Sequence, residues 1–240
     1  MNDRILLGML TPSSNTVLEP LTTAVLAGLP EVSAHFGRFR VTEISLGAGA
    51  LDQFDQDTRL AAADLLADAQ CDVIAWNGTS AGWMGFAHDE ELCRRITERT
   101  GAAATSSILA NNDLFRRHGV SRFGLVTPYT DDVQDRIVAN YAEAGFECVA
   151  ERHLGISRNF DFSEVDEDTI AGMIDAVAAA KPDAISIICT NLRGAGLAEA
   201  AEARHDIPIY DSISVVVLRA LELAGVDPKR VTGWGRIFAG

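Results

Sequence analysis

Asp183-Ala184-Ile185-Ser186-Ile187-Ile188-Cys189-Thr190-Asn191 is an apolar run of strand type that stops on a thiol and two small polar residues. A second stretch, Asp72-Val73-Ile74-Ala75-Trp76-Asn77-Gly78-Thr79-Ser80, follows the same plan. When the two aspartates are aligned, Thr79 falls on Thr190 and Gly78 on Cys189. Short apolar runs bounded by turn residues suit strands buried on both faces. In open α/β sheets, ligands gather beyond the carboxyl ends of such strands. One half of the chain therefore offers a thiol where the other offers bare backbone.

The neighbouring segments extend the repeat. In the first half a strand over 5–10 leads to Thr11-Pro12-Ser13-Ser14-Asn15 and a helix through Leu26, with Ser or Thr expected to cap it and to form an anion site. A second strand is expected over 39–45, then a loop at 47–50 lying over the site. The next helix, over 56–69, should turn Leu60, Leu65 and Leu66 inward. After the 73–76 strand come a charged surface helix over 89–99, a strand over 102–104, Thr105-Ser106-Ser107 and a helix over 108–118. The second half repeats this order: a strand over 123–126, Thr127-Pro128-Tyr129-Thr130-Asp131-Asp132, a helix to Ala144 and a strand over 148–153. An acidic loop with Asn159, Asp161 and Asp166 follows, then helices over 169–180 and 197–204, a strand over 207–209, and Asp211-Ser212-Ile213 opening a helix through Leu223. Gly233-Trp234-Gly235 reads as an ordered tail.

Strands alternating with helices predict parallel sheets with right-handed crossovers. The expected fold is α/β, with two similar lobes related by a pseudo-twofold axis, each a parallel four-stranded sheet flanked by helices. Residues 1–118 form the first lobe and 119–217 the second, and 218–240 pack back across both. The polar strand ends should converge on the cleft between the lobes.

Composition narrows the functions. The chain has 240 residues, 48% hydrophobic and 22% charged, with a formal net charge of -14. That charge argues against nucleic acid and anionic membranes, which need a basic face. No stretch resembles a signal peptide or a membrane span, so a cytoplasmic protein is expected. Cys71, Cys93, Cys148 and Cys189 are too widely spaced for a metal cluster, and His35, His88, His118, His153 and His205 share no ligand spacing. Neither G-x-G-x-x-G nor a P-loop follows any strand. No metal, nucleotide or organic cofactor is therefore expected. A homo-oligomer stays open.

At these motifs the chain resembles the Asp/Glu racemase superfamily, in its arylmalonate decarboxylase and maleate isomerase branch. Asn77-Gly78-Thr79-Ser80, Tyr129-Thr130-Asp131-Asp132-Val133, Gly233-Trp234-Gly235-Arg236-Ile237-Phe238 and Cys189 are similar to the decarboxylase's motifs. Pro12-Ser13-Ser14-Asn15 is similar to the maleate isomerase turn. The resemblance implies a cofactor-independent enzyme acting next to the carboxylate of a small carboxylic or dicarboxylic acid. It implies Cys189 as the catalytic group. Gly78, Thr79, Ser80, Tyr129 and Thr190 would line a dioxyanion hole, and Asn15 would hold a second polar group. Racemases and isomerases of the superfamily carry a second cysteine, and here that position is Gly78.

Other uses weigh against several of these residues. Free cysteines are often small buried hydrophobes, which suits Cys71, Cys93 and Cys148. Hydroxyls at strand ends often cap helices, Asp131-Asp132 complement a helix dipole, and Trp76, Trp83 and Phe54 suit core packing. Helix N–H groups are expected to tune the Cys189 pKa toward the working pH. A decarboxylase-like lyase is the leading reading. The alternatives are a maleate cis-trans isomerase, a racemase-like enzyme of amino-acid or compatible-solute breakdown with a replacement base, and a non-catalytic small-anion binding module.

Overall fold

The computed structural model describes residues 4–47, 49 and 52–239, so part of the expected 47–50 loop lies outside the described residues. Eight strands form two sheets of identical topology. The first contains β1 (Ile5–Pro12), β2 (Val32–Phe39), β3 (Val73–Trp76) and β4 (Ala103–Ser106) in the order β2-β1-β3-β4. The second contains β5 (Arg122–Val126), β6 (Glu147–Arg152), β7 (Ala184–Ile187) and β8 (Ile209–Asp211) in the order β6-β5-β7-β8. Every pairing is parallel. β3 and β7 are buried along their whole length, as continuous apolar runs require when helices cover both faces.

The two aspartates that open the repeated stretches do the same structural work. The Asp72 carboxylate accepts the Leu6 N–H, while Asp183 accepts the N–H groups of Ser121 and Arg122. Each ties the start of its strand to the neighbouring central strand. The repeat is thus fixed at both ends: an aspartate sets the register, and a polar strand end opens on the cleft.

The expected second strand is displaced. Val32–Phe39 forms β2, and residues 40–45 run on as a loop whose one β-bridge among the described residues, Glu43 to Arg158, is isolated. β2 is an edge strand, and most of its side chains are only partly buried, so its apolar signal is weak. Val41 and Ile44 are buried for another reason, taken up below.

Nine α-helices of the described residues flank the sheets: α1 (Leu18–Val25), α2 (Gln56–Asp68), α3 (Ala81–Met84), α4 (Ala87–Thr100), α5 (Ser107–Arg117), α6 (Asp131–Glu143), α7 (Glu167–Ala178), α8 (Ala198–His205) and α9 (Ser212–Leu223). On α2, Leu60 and Leu66 face inward but Leu65 is 69% exposed. Five residues at 100° each place Leu65 well off the Leu60 face. Arg59, fully buried, occupies the inward stripe in its stead. On α4, Asp89 is also fully buried, so this helix is not purely a surface element.

The lobes exchange their last helices. After β8, α9 crosses to lie on β3, β4, α1 and α5 of the first lobe. In return, α5 packs against the second sheet: the Phe115 ring meets Phe123, Phe146 and Tyr210, and Ser186 donates to the Asn111 side chain at 2.8 Å. Nine of the twelve α9 residues are buried, including Ile213, Val215, Val216, Val217 and Leu218. Each large aliphatic group so buried contributes about 1.5–3 kcal/mol. One continuous core spans both lobes.

Candidate active site

Cys189 follows β7, and its sulfur sits beneath a turn whose amides point back at it. The Asn191 N–H donates to Sγ at 3.3 Å, and the Leu192 N–H and the Tyr129 hydroxyl also bond to it. These donors would stabilise a thiolate, yet burial outweighs them and pushes the thiol up to about 12. The Asp211 carboxyl, buried nearby, adds to the upward shift. The expected downward tuning is therefore reversed: Cys189 keeps its proton across the neutral range. The cause is desolvation, which a sequence does not display.

Thr79 Oγ1 and the Tyr129 hydroxyl lie 2.6 Å apart, and burial raises the Tyr129 pKa well above its ordinary value. Ser80 stands at the start of α3, which has no side-chain cap. The expected use of these hydroxyls as helix caps is thus not what they do. Among the described residues, the N–H groups of Ser80 and Thr190 have no acceptor. Thr79, Ser80, Tyr129, Thr190 and Cys189 all line one small cavity between the lobes, together with Gly78. Its volume is about 20 Å³. That is room for about one water.

The remaining wall is apolar. Pro12, Val41, Ile44, Phe54, Trp76 and Trp83 face the same cavity, so the three aromatics serve the site as well as the core. Trp83 sets its edge against Tyr129 with centroids 5.2 Å apart. Val41 and Ile44 reach the cavity because two loops meet above it. Ile44 N–H donates to Ser157 O at 2.8 Å, and Asn159 N–H donates to Thr42 O at 3.0 Å. Asn159 also lines the cavity. Sequence reading placed it in an acidic loop without a role; its signal was position, since the loop after β6 is the counterpart of the loop after β2.

Asn15 lies one layer behind the cavity. Its Nδ2 donates to Thr190 O at 3.0 Å and to Thr190 Oγ1 at 3.2 Å, while its Oδ1 accepts from the N–H groups of Val17 and Leu18. Asn191 returns the link, accepting from Thr16 N–H and donating to Asn159 O at 2.6 Å. Thr190 Oγ1 donates to Asn77 O at 3.0 Å. These side chains hold the two strand ends together across the cleft.

Among the described residues no group of three or more His, Cys, Asp or Glu is placed to hold a metal, and no helix is long and apolar enough to cross a membrane. Cys71, Cys93 and Cys148 are free thiols away from the cavity, each with its pKa raised by burial.

Two interlocked α/β lobes, with a cavity between them lined by one buried, hydrogen-bonded thiol, define the class of this protein. The chain belongs to the arylmalonate decarboxylase family, whose model matches residues 16–238. It is 27% identical over 235 residues to an arylmalonate decarboxylase of Bordetella bronchiseptica, covering 97% of this chain and 95% of that protein. It is also 27% identical over 245 residues to a maleate isomerase of Nocardia farcinica, covering 97% and 94%. Among solved structures, the N. farcinica maleate cis-trans isomerase with a covalently bound succinylcysteine intermediate superposes with a TM-score of 0.90, at 23% identity and 98% coverage of both chains. An arylmalonate decarboxylase superposes with a TM-score of 0.78, at 26% identity, covering 98% of this chain and 99% of that one.

Proposed function

We propose that this protein is a cofactor-independent decarboxylase of small malonate-type acids that protonates its intermediate on one face through Cys189. The observation that carries this reading is a single proton-bearing thiol in the same cavity as Gly78, with no second thiol, imidazole or carboxylate among the described residues that line it. In this mechanism the substrate displaces the loops that meet over the cavity, and one of its carboxylates is held by the Thr79 and Tyr129 hydroxyls and the free N–H groups of Ser80 and Thr190. The second carboxylate is turned toward the apolar wall, where an anion is poorly solvated. Its C–C bond breaks, carbon dioxide leaves, and the electron pair flows into the held carboxylate as an enediolate. Fixed donors stabilise that dianionic group without reorganising. The Cys189 S–H then gives its proton to the α-carbon. The resulting thiolate is held by the Asn191 and Leu192 N–H groups until solvent restores its proton.

Family membership displaces the non-catalytic module. A maleate isomerase attacks a double bond with sulfur and needs thiolate, which the raised Cys189 pKa opposes. A two-base racemase needs an acid or base opposite Cys189. Asn15 supports the isomerase reading least, because its amide is committed to Thr190. Its part in the proposed mechanism is to position Thr190.

The deciding experiment is turnover of a 2-arylmalonate beside maleate by the purified enzyme, followed by carbon dioxide release and NMR. Carbon dioxide from the malonate, abolished in Cys189→Ala, supports the reading. Fumarate from maleate without decarboxylation overturns it.

A further inference from the structure

The cavity wall carries a feature that the family match does not explain. A Cβ built on Gly78 would lie 2.0 Å from Trp76 Cζ2, 2.4 Å from Cη2 and 2.5 Å from Cε2. No real Cβ tolerates such distances. Backbone conformation is not the reason for this glycine, because Gly78 does not have a positive φ. Space is.

The indole has nowhere to go. Trp76 is fully buried and ends β3, paired with Leu10 on one side and Ser106 on the other. The Phe39 ring packs on it with centroids 5.1 Å apart. The Arg59 guanidinium lies 5.5 Å from its ring centroid. Arg59 is itself buried and anchored, its Nη2 donating to Phe54 O at 2.5 Å. The equivalent place in the second lobe is Ile187, two residues before Cys189, where an aliphatic side chain leaves room for the thiol. Residues two apart along a strand project to the same side, so the side chain at the first of these positions governs what fits at the second.

We propose that Trp76 is the residue that confines this enzyme to one-sided proton transfer, by filling the volume that a thiol at position 78 would occupy. This inference rests on the reading of Cys189 as the proton donor and deepens it. Cys189 defines the face that receives the proton, and the indole forms the opposite wall, against which the substrate's apolar substituent lies. A second proton-transfer group at 78 therefore requires two changes, one to add sulfur and one to remove the indole. With both, the α-proton of a product can leave to one sulfur while the other delivers its own proton to the opposite face, inverting the centre with no other reactant.

The test uses the full chain as wild type, Gly78→Ala, Trp76→Leu, the pair together, and Gly78→Cys with and without Trp76→Leu. Thermal unfolding is read for all. Exchange and loss of optical purity of a single-enantiomer 2-arylpropionate in deuterium oxide are read for the cysteine variants. Gly78→Ala alone should lower Tm by several degrees through overpacking. In the Trp76→Leu background the same change should cost clearly less, which is non-additivity of residues in contact. Gly78→Cys alone should not racemise the product, whereas Gly78→Cys with Trp76→Leu should, at least about tenfold above wild type. Additive Tm shifts, or racemisation by Gly78→Cys alone at the rate of the pair, would overturn the role of Trp76. Should Trp76→Leu fail to fold, Trp76→Phe replaces it, and the same non-additivity is expected. The Tm comparison stands even if the wild type decarboxylates no malonate, so failure of the functional reading and failure of this inference are told apart.

Discussion

Cys189 combines two properties that pull in opposite directions. Amide and phenol donors around Sγ favour the thiolate, but burial in a cavity with room for about one water favours the thiol and wins. A group with its pKa pushed up to about 12 keeps its proton at neutral pH and can act only as a proton donor there. Activity limited by this donor should stay level from about pH 7 to 10, because the acid form persists throughout. A rate that rises with pH over that range would instead identify thiolate as the working species. Replacing Cys189 by Ser should lower kcat by about 10²–10⁴, the usual contribution of a positioned acid. If Tyr129 donates to the enediolate as we propose, Tyr129→Phe should cost about 10²–10³ in kcat with little change in fold. The place of Cys189 in the fold is legible in the sequence, because the thiol follows a strand inside a repeat. Its protonation state is not, because that depends on burial and on backbone N–H groups of Asn191 and Leu192 and side chains of Tyr129 and Asp211, brought from three different segments.

The elements divide by how much of their signal is local. β3 and β7 are read from sequence to the residue or nearly so, since strands buried on both faces are continuous apolar runs closed by polar ends. β2 is misplaced because an edge strand needs no such run, while Val41 and Ile44, which mimic one, are buried under the meeting of two loops. Leu65 is misassigned on α2 because Arg59 takes the inward stripe, an exchange that propensity opposes and the Trp76 ring permits. Asn15, expected from the sequence to hold a polar group of the substrate, spends its side chain on four hydrogen bonds that tie the start of α1 to Thr190. Asn15→Ala should cost about 1–3 kcal/mol in stability by leaving buried partners unsatisfied, and kcat should fall as Thr190 loosens; denaturant unfolding and steady-state kinetics measure both.

Asp211 makes a sharper test at the same scale. It caps α9, its Oδ1 accepting from the N–H groups of Ile213 and Ser214, while Oδ2 is buried without a partner among the described residues. Burial raises this carboxyl from its ordinary 3.8 to about 7. Between those values the folded protein holds a proton that the unfolded chain has released. Its contribution to stability is therefore complete below the unfolded value and is lost as pH rises through about 7. Asp211→Asn keeps the cap and removes the titration, so the decline in Tm between pH 5 and pH 8 should be shallower than in the wild type. An equal decline in both would show that Asp211 does not carry the effect.

At the scale of the molecule, the duplicated sheets are plain in the sequence and the exchanged helices are not. Repetition of Thr-Pro, Gly-Thr or Cys-Thr, and a polar helix start predicts two similar halves, but nothing in α5 or α9 says that each covers the other's sheet. The exchange makes one core of two lobes. Unfolding followed by tryptophan fluorescence and by far-ultraviolet circular dichroism should give one coincident transition, and residues 1–118 expressed alone should not fold, since α9 would no longer cover β3 and β4. The same interlocking fixes the cavity walls from both halves, and on our proposal it gives the site its handedness, with Cys189 as the proton donor on one side and the Trp76 indole on the other. The most direct measurement is the configuration of the product formed from a prochiral 2-aryl-2-methylmalonate in deuterium oxide. Our account predicts one enantiomer, carrying a single deuterium at the α-carbon and resisting further exchange; a racemic product would contradict it.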